Sequence, residues 1–174
     1  MAKSQLILRA VEPEDIDLLY KWENDRSVWR VSNTLAPFSR YLLERYIESD
    51  PGDVHSHKQL RMMIDILDFG RQVRTVGAVD LFDYDAVHQR AGIGIFVASD
   101  DRRKGHAHGA IAQMMNYSRN VLYLHQLFCN IPANNTASIR LFKKVGFKVI
   151  GTKKDWLRTD NIHWEDELML QYIF

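Results

Sequence analysis

The chain has 174 residues, of which 46% are hydrophobic and 26% charged, and its formal net charge is +1. That length suits one domain (1–174) with a core of its own, and the near-neutral balance argues against a surface that binds nucleic acid throughout. The one cysteine, Cys129, excludes an intramolecular disulfide and a cysteine-based zinc site.

The opening residues, MAKSQLILRAVEPED, turn acidic before a signal-like apolar stretch is long enough. No run approaches the roughly 20 apolar residues of a membrane span. A cytoplasmic protein with no membrane partner is expected, and the Asn-x-Ser/Thr matches at Asn116 and Asn134 then carry no meaning as glycan sites.

In chain order, LILRAVE (6–12) alternates as a strand. Pro13 is a favourable first helical residue. Ile16, Leu19 and Tyr20, widened by Leu18 and Trp22, form the apolar stripe of a first helix. Residues 39–49 read as a second helix with Ser39 as its N-cap, and PGDVHSH breaks it. Three strand-like runs follow, at 59–67, 74–84 and 91–99, separated by DFGRQ and by a turn near Asp85; they predict an antiparallel meander. Gly92 and Gly94 inside the third run point to a bulge or a close backbone approach. Residues 107–122 then place Ala110, Ile111, Met114, Met115, Ser118, Val121 and Leu122 on one broad helical face. QLFCNI (126–131) is a short strand. NNTASIRLFKKVG is a helix capped by Asn or Thr, with Ile139, Leu141, Phe142 and Val145 inward and Gly146 just past its end. FKVIGTKK and WEDELMLQYIF close the chain as two strands. The order β α α β β β α β α β β is that of an α+β domain.

The octet Arg102–Gly109, RRKGHAHG, lies between a buried strand and a helix. The first N–H groups of a helix lack intrahelical partners and sit at the positive end of its dipole. Gly105 lets backbone approach a ligand, and Arg102, Arg103 and Lys104 add charge. This is a phosphate cradle or, on composition alone, a solvated basic turn.

R-x-x-G-x-A at 102–107, together with N-x-x-S-x-x-x-F-x-x-x-G-F from Asn135 to Phe147, resembles the GNAT family of N-acetyltransferases. The likeness runs from about residue 6 to the C-terminus and is nearest to the spermidine and diamine N-acetyltransferases, then to the ribosomal-protein N-terminal acetyltransferases. It implies a mixed, mostly antiparallel sheet with helices on both faces and acetyl-CoA as co-substrate. Ile95, Phe96 and Val97 would pair with the pantetheine arm. Arg102, Arg103, Lys104, Gly105, His106 and Ala107, with His108 next, would wrap the pyrophosphate. Asn135 would hydrogen-bond the pantetheine, and Ser138, Phe142 and Lys144 would line its path. The segment DWLRTDNIHWEDE would flank the acceptor site and support a homodimer or higher homo-oligomer.

Acetyl transfer to an amine needs a neutral amine, an oxyanion stabiliser and a proton for the departing thiolate. The glutamate that often handles the amine's proton in the resembled family falls at Gly92, and the tyrosine that often serves as acid falls at Phe142. Asp80, Tyr84 and His88 are the candidate substitutes. Each has a plainer reading: Asp80 alternates with Val79 and Leu81 and so faces solvent, His88 sits in a loop, and Tyr84 acts only if it points inward. Asp83 and Asp85 shape a turn. Cys129 reads as a small buried hydrophobe. The paired histidines His55/His57 and His106/His108 lack further ligands at metal spacing, so no metal is expected. Trp22, Trp29, Tyr41 and Tyr46 line a pocket or pack in the core.

The expected reaction is acetylation of a small polyamine-like or amino-acid-like primary amine, with a peptide N-terminus as the alternative acceptor. The acidic residues that attract cations in polyamine enzymes are replaced at Asn33-Thr34, with Glu44 and Glu48 only further along. A non-catalytic acetyl-CoA-binding module is the competing class. A nucleic-acid partner is not expected, because no set of stacking aromatics interleaves the basic residues.

Overall fold

The structure, a computed structural model, describes residues 4–32, 34–49, 53–68 and 72–174. Strand β1 (Gln5–Arg9) leads into a one-turn 3-10 segment at Pro13–Asp15 and four helices: α1 (Ile16–Glu23), α2 (Arg26–Ser32), α3 (Arg40–Ser49) and α4 (Val54–His57). Then come β2 (Leu60–Asp68), β3 (Gln72–Asp85) and β4 (Arg90–Val97). The chain ends with α5 (His106–Asn120), β5 (Gln126–Pro132), α6 (Thr136–Lys144), β6 (Lys148–Arg158) and β7 (Trp164–Ile173).

The strands form one seven-stranded sheet in the order β1-β2-β3-β4-β5-β7-β6. Every neighbouring pair is antiparallel except β4–β5. Strand periodicity sends alternate side chains to opposite faces. Val79, Leu81, Ile93, Leu127 and Leu170 pack with Ala110, Ile111 and Met114 of α5 and Phe142 of α6. On the other face Met63 and Ala78 meet Leu19 and Trp22 of α1 and Leu43 of α3. Leu81, Leu127 and Leu170 are fully buried; truncating a side chain so placed costs about 2–5 kcal/mol.

The parallel contact positions everything that follows. β4 and β5 pair only at Arg90–Gln126, Ala91–Leu127 and Gly92–Phe128. Beyond Gly92, β4 pairs only with β3, and beyond Phe128, β5 pairs only with β7. The two strands diverge and leave a wedge in the sheet.

Several expectations need correction. The first strand ends at Arg9 rather than at residue 12. There the Arg9 guanidinium is drawn to Asp15 and Asp65, while the Asp15 carboxylate accepts from the Glu12 N–H at 2.9 Å and starts the turn. The expected break at PGDVHSH contains α4, because Asp53 accepts from the N–H groups of His55 (2.9 Å) and Ser56 (3.2 Å) and caps it. α2 also went unread, since RSVWRVS carries no clear apolar period. The helix after the octet stops at Asn120, so Val121 leaves its face and is 53% exposed. The third meander strand ends at Val97, not at residue 99. Pro51, Gly52, Phe69, Gly70 and Arg71 of the expected turns, and Asn33 of the substrate-side pair, lie outside the described residues. Ser39 does cap α3, its hydroxyl accepting from the Leu42 N–H at 3.1 Å.

Candidate active site

The wedge has β4 on one side and β5 on the other. Ile95, Phe96 and Val97 lie on its β4 side, and the Phe96 ring packs against Trp22 at 5.2 Å between centroids. The octet follows immediately. Arg102 Nε donates to the Val97 carbonyl at 2.9 Å and so ties the octet to the end of β4. Lys104 donates to Asp101 at 2.9 Å, and Arg74 pairs with the same carboxylate. Burial pushes the Asp101 carboxyl up, but the hydrogen bonds from Lys104 and Arg74 outweigh it and leave the carboxyl below its ordinary value. Arg103 stands exposed.

Gly105 has φ +88°, a left-handed backbone that glycine adopts without steric cost. A Cβ built there would meet nothing within 4 Å. As the N-cap of α5 it supplies no side-chain acceptor, so the first amides of a 15-residue helix remain available to an external anion. Next to it the His106 Nε2 is buried with no hydrogen-bond partner among the described residues, and burial pushes its pKa down, which keeps the ring neutral near pH 7. Ala107 and the half-buried His108 complete the first turn. An uncapped helix start and open space over a glycine together fit a pyrophosphate. Asn135 caps α6, its side-chain carbonyl accepting from the Ser138 N–H at 3.2 Å, and Lys144 is exposed in the last turn.

On the α1/α3 face, one strand away from the wedge, is a cleft of about 170 Å3 lined by Tyr46, Arg61, Asp80 and Phe82. Asp80 lies opposite Gly94 of β4 in the β3–β4 register. Its carboxylate is engaged: Arg61 Nε meets Oδ1 at 2.7 Å, while the same guanidinium reaches Glu23 at 2.6 Å. The Asp80 carboxylate holds the Arg61 guanidinium above its ordinary pKa against the effect of burial. A Cβ on Gly92 would fall 2.2 Å from the Phe82 ring, and that ring meets Phe128 edge-to-face at 6.0 Å. Gly92 therefore makes room for a neighbouring side chain. Gly77, unremarked in the sequence, has the tightest approach: a Cβ there would fall 2.1 Å from the Phe96 carbonyl oxygen.

The other candidates are dispersed. Tyr84 is 5% exposed and edge-on to His55 at 5.0 Å, and burial raises its pKa. His88 is exposed at the β3–β4 turn, where its Nδ1 lies 2.8 Å from Asp85. Of the three residues expected to move protons, Asp80 alone lines the cleft. Cys129 is buried, and burial pushes its thiol up to about 12, leaving too little thiolate for nucleophilic chemistry. Phe142 is 3% exposed and packs edge-on against Phe147 at 5.1 Å. Trp22 belongs to the core, the Trp29 N–H donates to the Glu23 carbonyl at 2.9 Å, and Tyr41 is exposed. Among the described residues no group of three or more His, Cys, Asp or Glu is placed to hold a metal ion, and no helix is long and apolar enough to cross a membrane. Sequence reading missed Glu23 and Arg61, which stand 38 residues apart and share no motif.

Residues 5–148 match the family model described as an acetyltransferase (GNAT) domain. The chain belongs to the GNAT acetyltransferase family. It is thus an acyltransferase, and acetyl-CoA is the family's acetyl donor. Spermidine N(1)-acetyltransferase of Escherichia coli (strain K12) is 30% identical over 145 residues, covering 83% of this chain and 73% of that protein. Its counterpart from Vibrio cholerae serotype O1 is 25% identical over 150 residues, covering 83% and 79%. A crystal structure of spermidine N-acetyltransferase from Vibrio cholerae in complex with CoA and spermine has a TM-score of 0.84 at 22% identity, over 97% of this chain and 95% of that one, a likeness of fold. A dodecameric structure of the Vibrio cholerae enzyme has a TM-score of 0.77 at 24% identity, over 97% and 94%. Both glycine and phenylalanine stand within this GNAT chain where the sequence resemblance places the usual glutamate and tyrosine.

Proposed function

We propose that this GNAT protein transfers the acetyl group of acetyl-CoA to a primary amine of a small polyamine-like acceptor. The observation that carries the reading is the adjacency of two unlike sites. A wedge between β4 and β5 runs up to the uncapped start of α5, and a cleft that holds the Arg61–Asp80 pair, with Glu23 on the far side of Arg61, lies one strand away across Gly92 and Gly94. Acetyl-CoA supplies an activated acetyl group with a thiolate leaving group. Open strand edges of Ile95–Val97 suit the amide-bearing pantetheine arm, and the amides at His106, Ala107 and His108 suit its pyrophosphate.

On the acceptor side, Glu23 and Asp80 against Arg61 leave one net negative charge, which attracts an ammonium group. The amine must lose a proton before it attacks. Asp80, half-buried in the cleft, receives it through water; the carbon–nitrogen bond forms as the carbon–sulfur bond breaks, and the second proton that the nitrogen sheds passes through water to the departing thiolate. Phe142 and Gly92 contribute no proton, so positioning carries more of the rate here than acid–base catalysis. The spermidine acetyltransferases among the relatives favour a polyamine over a peptide N-terminus.

A thiol-release assay with acetyl-CoA over a panel of polyamines, amino acids and peptides tests this. Turnover should be highest with the aliphatic amines. Acetyl-CoA binding without thiol release over the whole panel would leave a binding module and overturn the proposal.

A further inference from the structure

The acceptor cleft contains a cation of its own. Arg61 projects from β2 in register with Asp80 on β3. Its guanidinium donates to Asp80 at 2.7 Å and to Glu23, at the end of α1, at 2.6 Å. The face of Tyr46 lies 6.0 Å from it. Two carboxylates beside an aromatic face are the groups that hold an alkylammonium ion. Here they hold a guanidinium of the chain itself. The three side chains stay partly open to solvent, at 23% for Arg61, 22% for Glu23 and 26% for Asp80.

We propose that Arg61 sets the acceptor class of this site: by filling the cation position between Glu23 and Asp80 it makes the cleft take its acceptor through one ammonium group rather than two. The inference rests on the functional reading above and narrows it. With two carboxylates and one guanidinium the cleft carries one net negative charge, enough to attract one incoming cation. A second ammonium on the acceptor finds its natural partners already engaged. Removing the guanidinium frees Glu23 and Asp80 for that second group. A guanidinium suits the place better than a lysine ammonium, because its planar fork reaches both carboxylates at once.

The test compares butylamine with 1,4-diaminobutane as acceptors, with acetyl-CoA as donor, in the wild type and in Arg61→Met, Arg61→Lys and Glu23→Gln. In the wild type the two amines have kcat/KM values within about threefold once the diamine's two equivalent ends are counted, because the second charge adds little. Arg61→Met raises the diamine-to-monoamine ratio of kcat/KM by about tenfold, as a freed carboxylate pair attracts the second charge; any change in kcat from releasing Asp80 falls on both amines alike and cancels in the ratio. Arg61→Lys, whose single ammonium engages the two carboxylates less completely, gives a ratio between those of the wild type and Arg61→Met. Glu23→Gln removes the net charge and raises KM for both amines by about tenfold. An unchanged ratio in folded Arg61→Met overturns the proposal, and should that variant not fold, an unchanged KM in Glu23→Gln overturns it. Absence of turnover by the wild type with any amine overturns the functional reading instead, so the two failures are distinct.

Discussion

The proposed donor side and the proposed acceptor side of this chain are made of different material. The donor side is backbone: a strand edge that loses its neighbour after Gly92, a left-handed glycine, and the free amides of α5. The acceptor side is side chains: Glu23, Tyr46, Arg61 and Asp80, from four separate elements. Main-chain recognition tolerates wide change in sequence, because every residue but proline carries the same amide. Side-chain recognition changes with one substitution.

The largest expected effect breaks the donor side. Gly105→Glu adds backbone strain and sets a carboxylate beside the amides of α5; acetyl-CoA affinity, measured by titration calorimetry, falls by at least about a hundredfold. Unchanged affinity would remove the start of α5 from the donor site. The border between the two sides is probed by its glycines. Gly77→Ala pushes against the Phe96 carbonyl, which is backbone and cannot rotate away, whereas Gly92→Ala meets the Phe82 ring, which can turn. In urea unfolding Gly77→Ala therefore costs more, about 1–3 kcal/mol, and it also weakens acetyl-CoA binding by displacing the edge of the wedge. If Gly92→Ala proved the costlier, the donor edge would not be the rigid partner.

The smallest effect concerns the turn that joins β3 to β4. The N–H of His88, then its ring, holds Asp85 down to about 2, below its ordinary 3.8. A carboxyl depressed in the folded state stabilises fully above the unfolded value, and that contribution is lost as pH falls through the folded value. Thermal melts should show the wild type's ionisation-linked advantage over Asp85→Asn at its fullest at pH 7 and shrinking between pH 4 and pH 2, because Asp85→Asn loses less stability over that window.

Much of this was legible because it is local. Strand alternation, the Ser39 and Asn135 caps and the helix start after the octet all lie within a few consecutive residues, and each formed. α4 was hidden by a proline and glycine just before its cap, although Asp53 followed by Ser56 is itself a start signal. Gly77 and Arg61 were invisible for another reason. The Phe96 carbonyl is brought to Gly77 by strand register, and Glu23 is brought to Arg61 by the packing of α1 on the sheet. No spacing in the chain announces either approach. Asp80 was singled out as one acid among several; its pairing with Arg61 turns a free carboxylate into half of an ion pair.

The three residue pairs that join β4 to β5 make a seam across an otherwise continuous sheet. Four strands with their early helices stand on one side of it, and three strands with α6 on the other. A strand-like molecule lodged in the seam fastens the halves together in the way an eighth strand would. Folding and saturation are then coupled: stability grows with the logarithm of donor concentration, by about 2.7 kcal/mol at one hundred times its dissociation constant. Seated there as proposed, the donor would serve this chain as a fastener as well as a reagent.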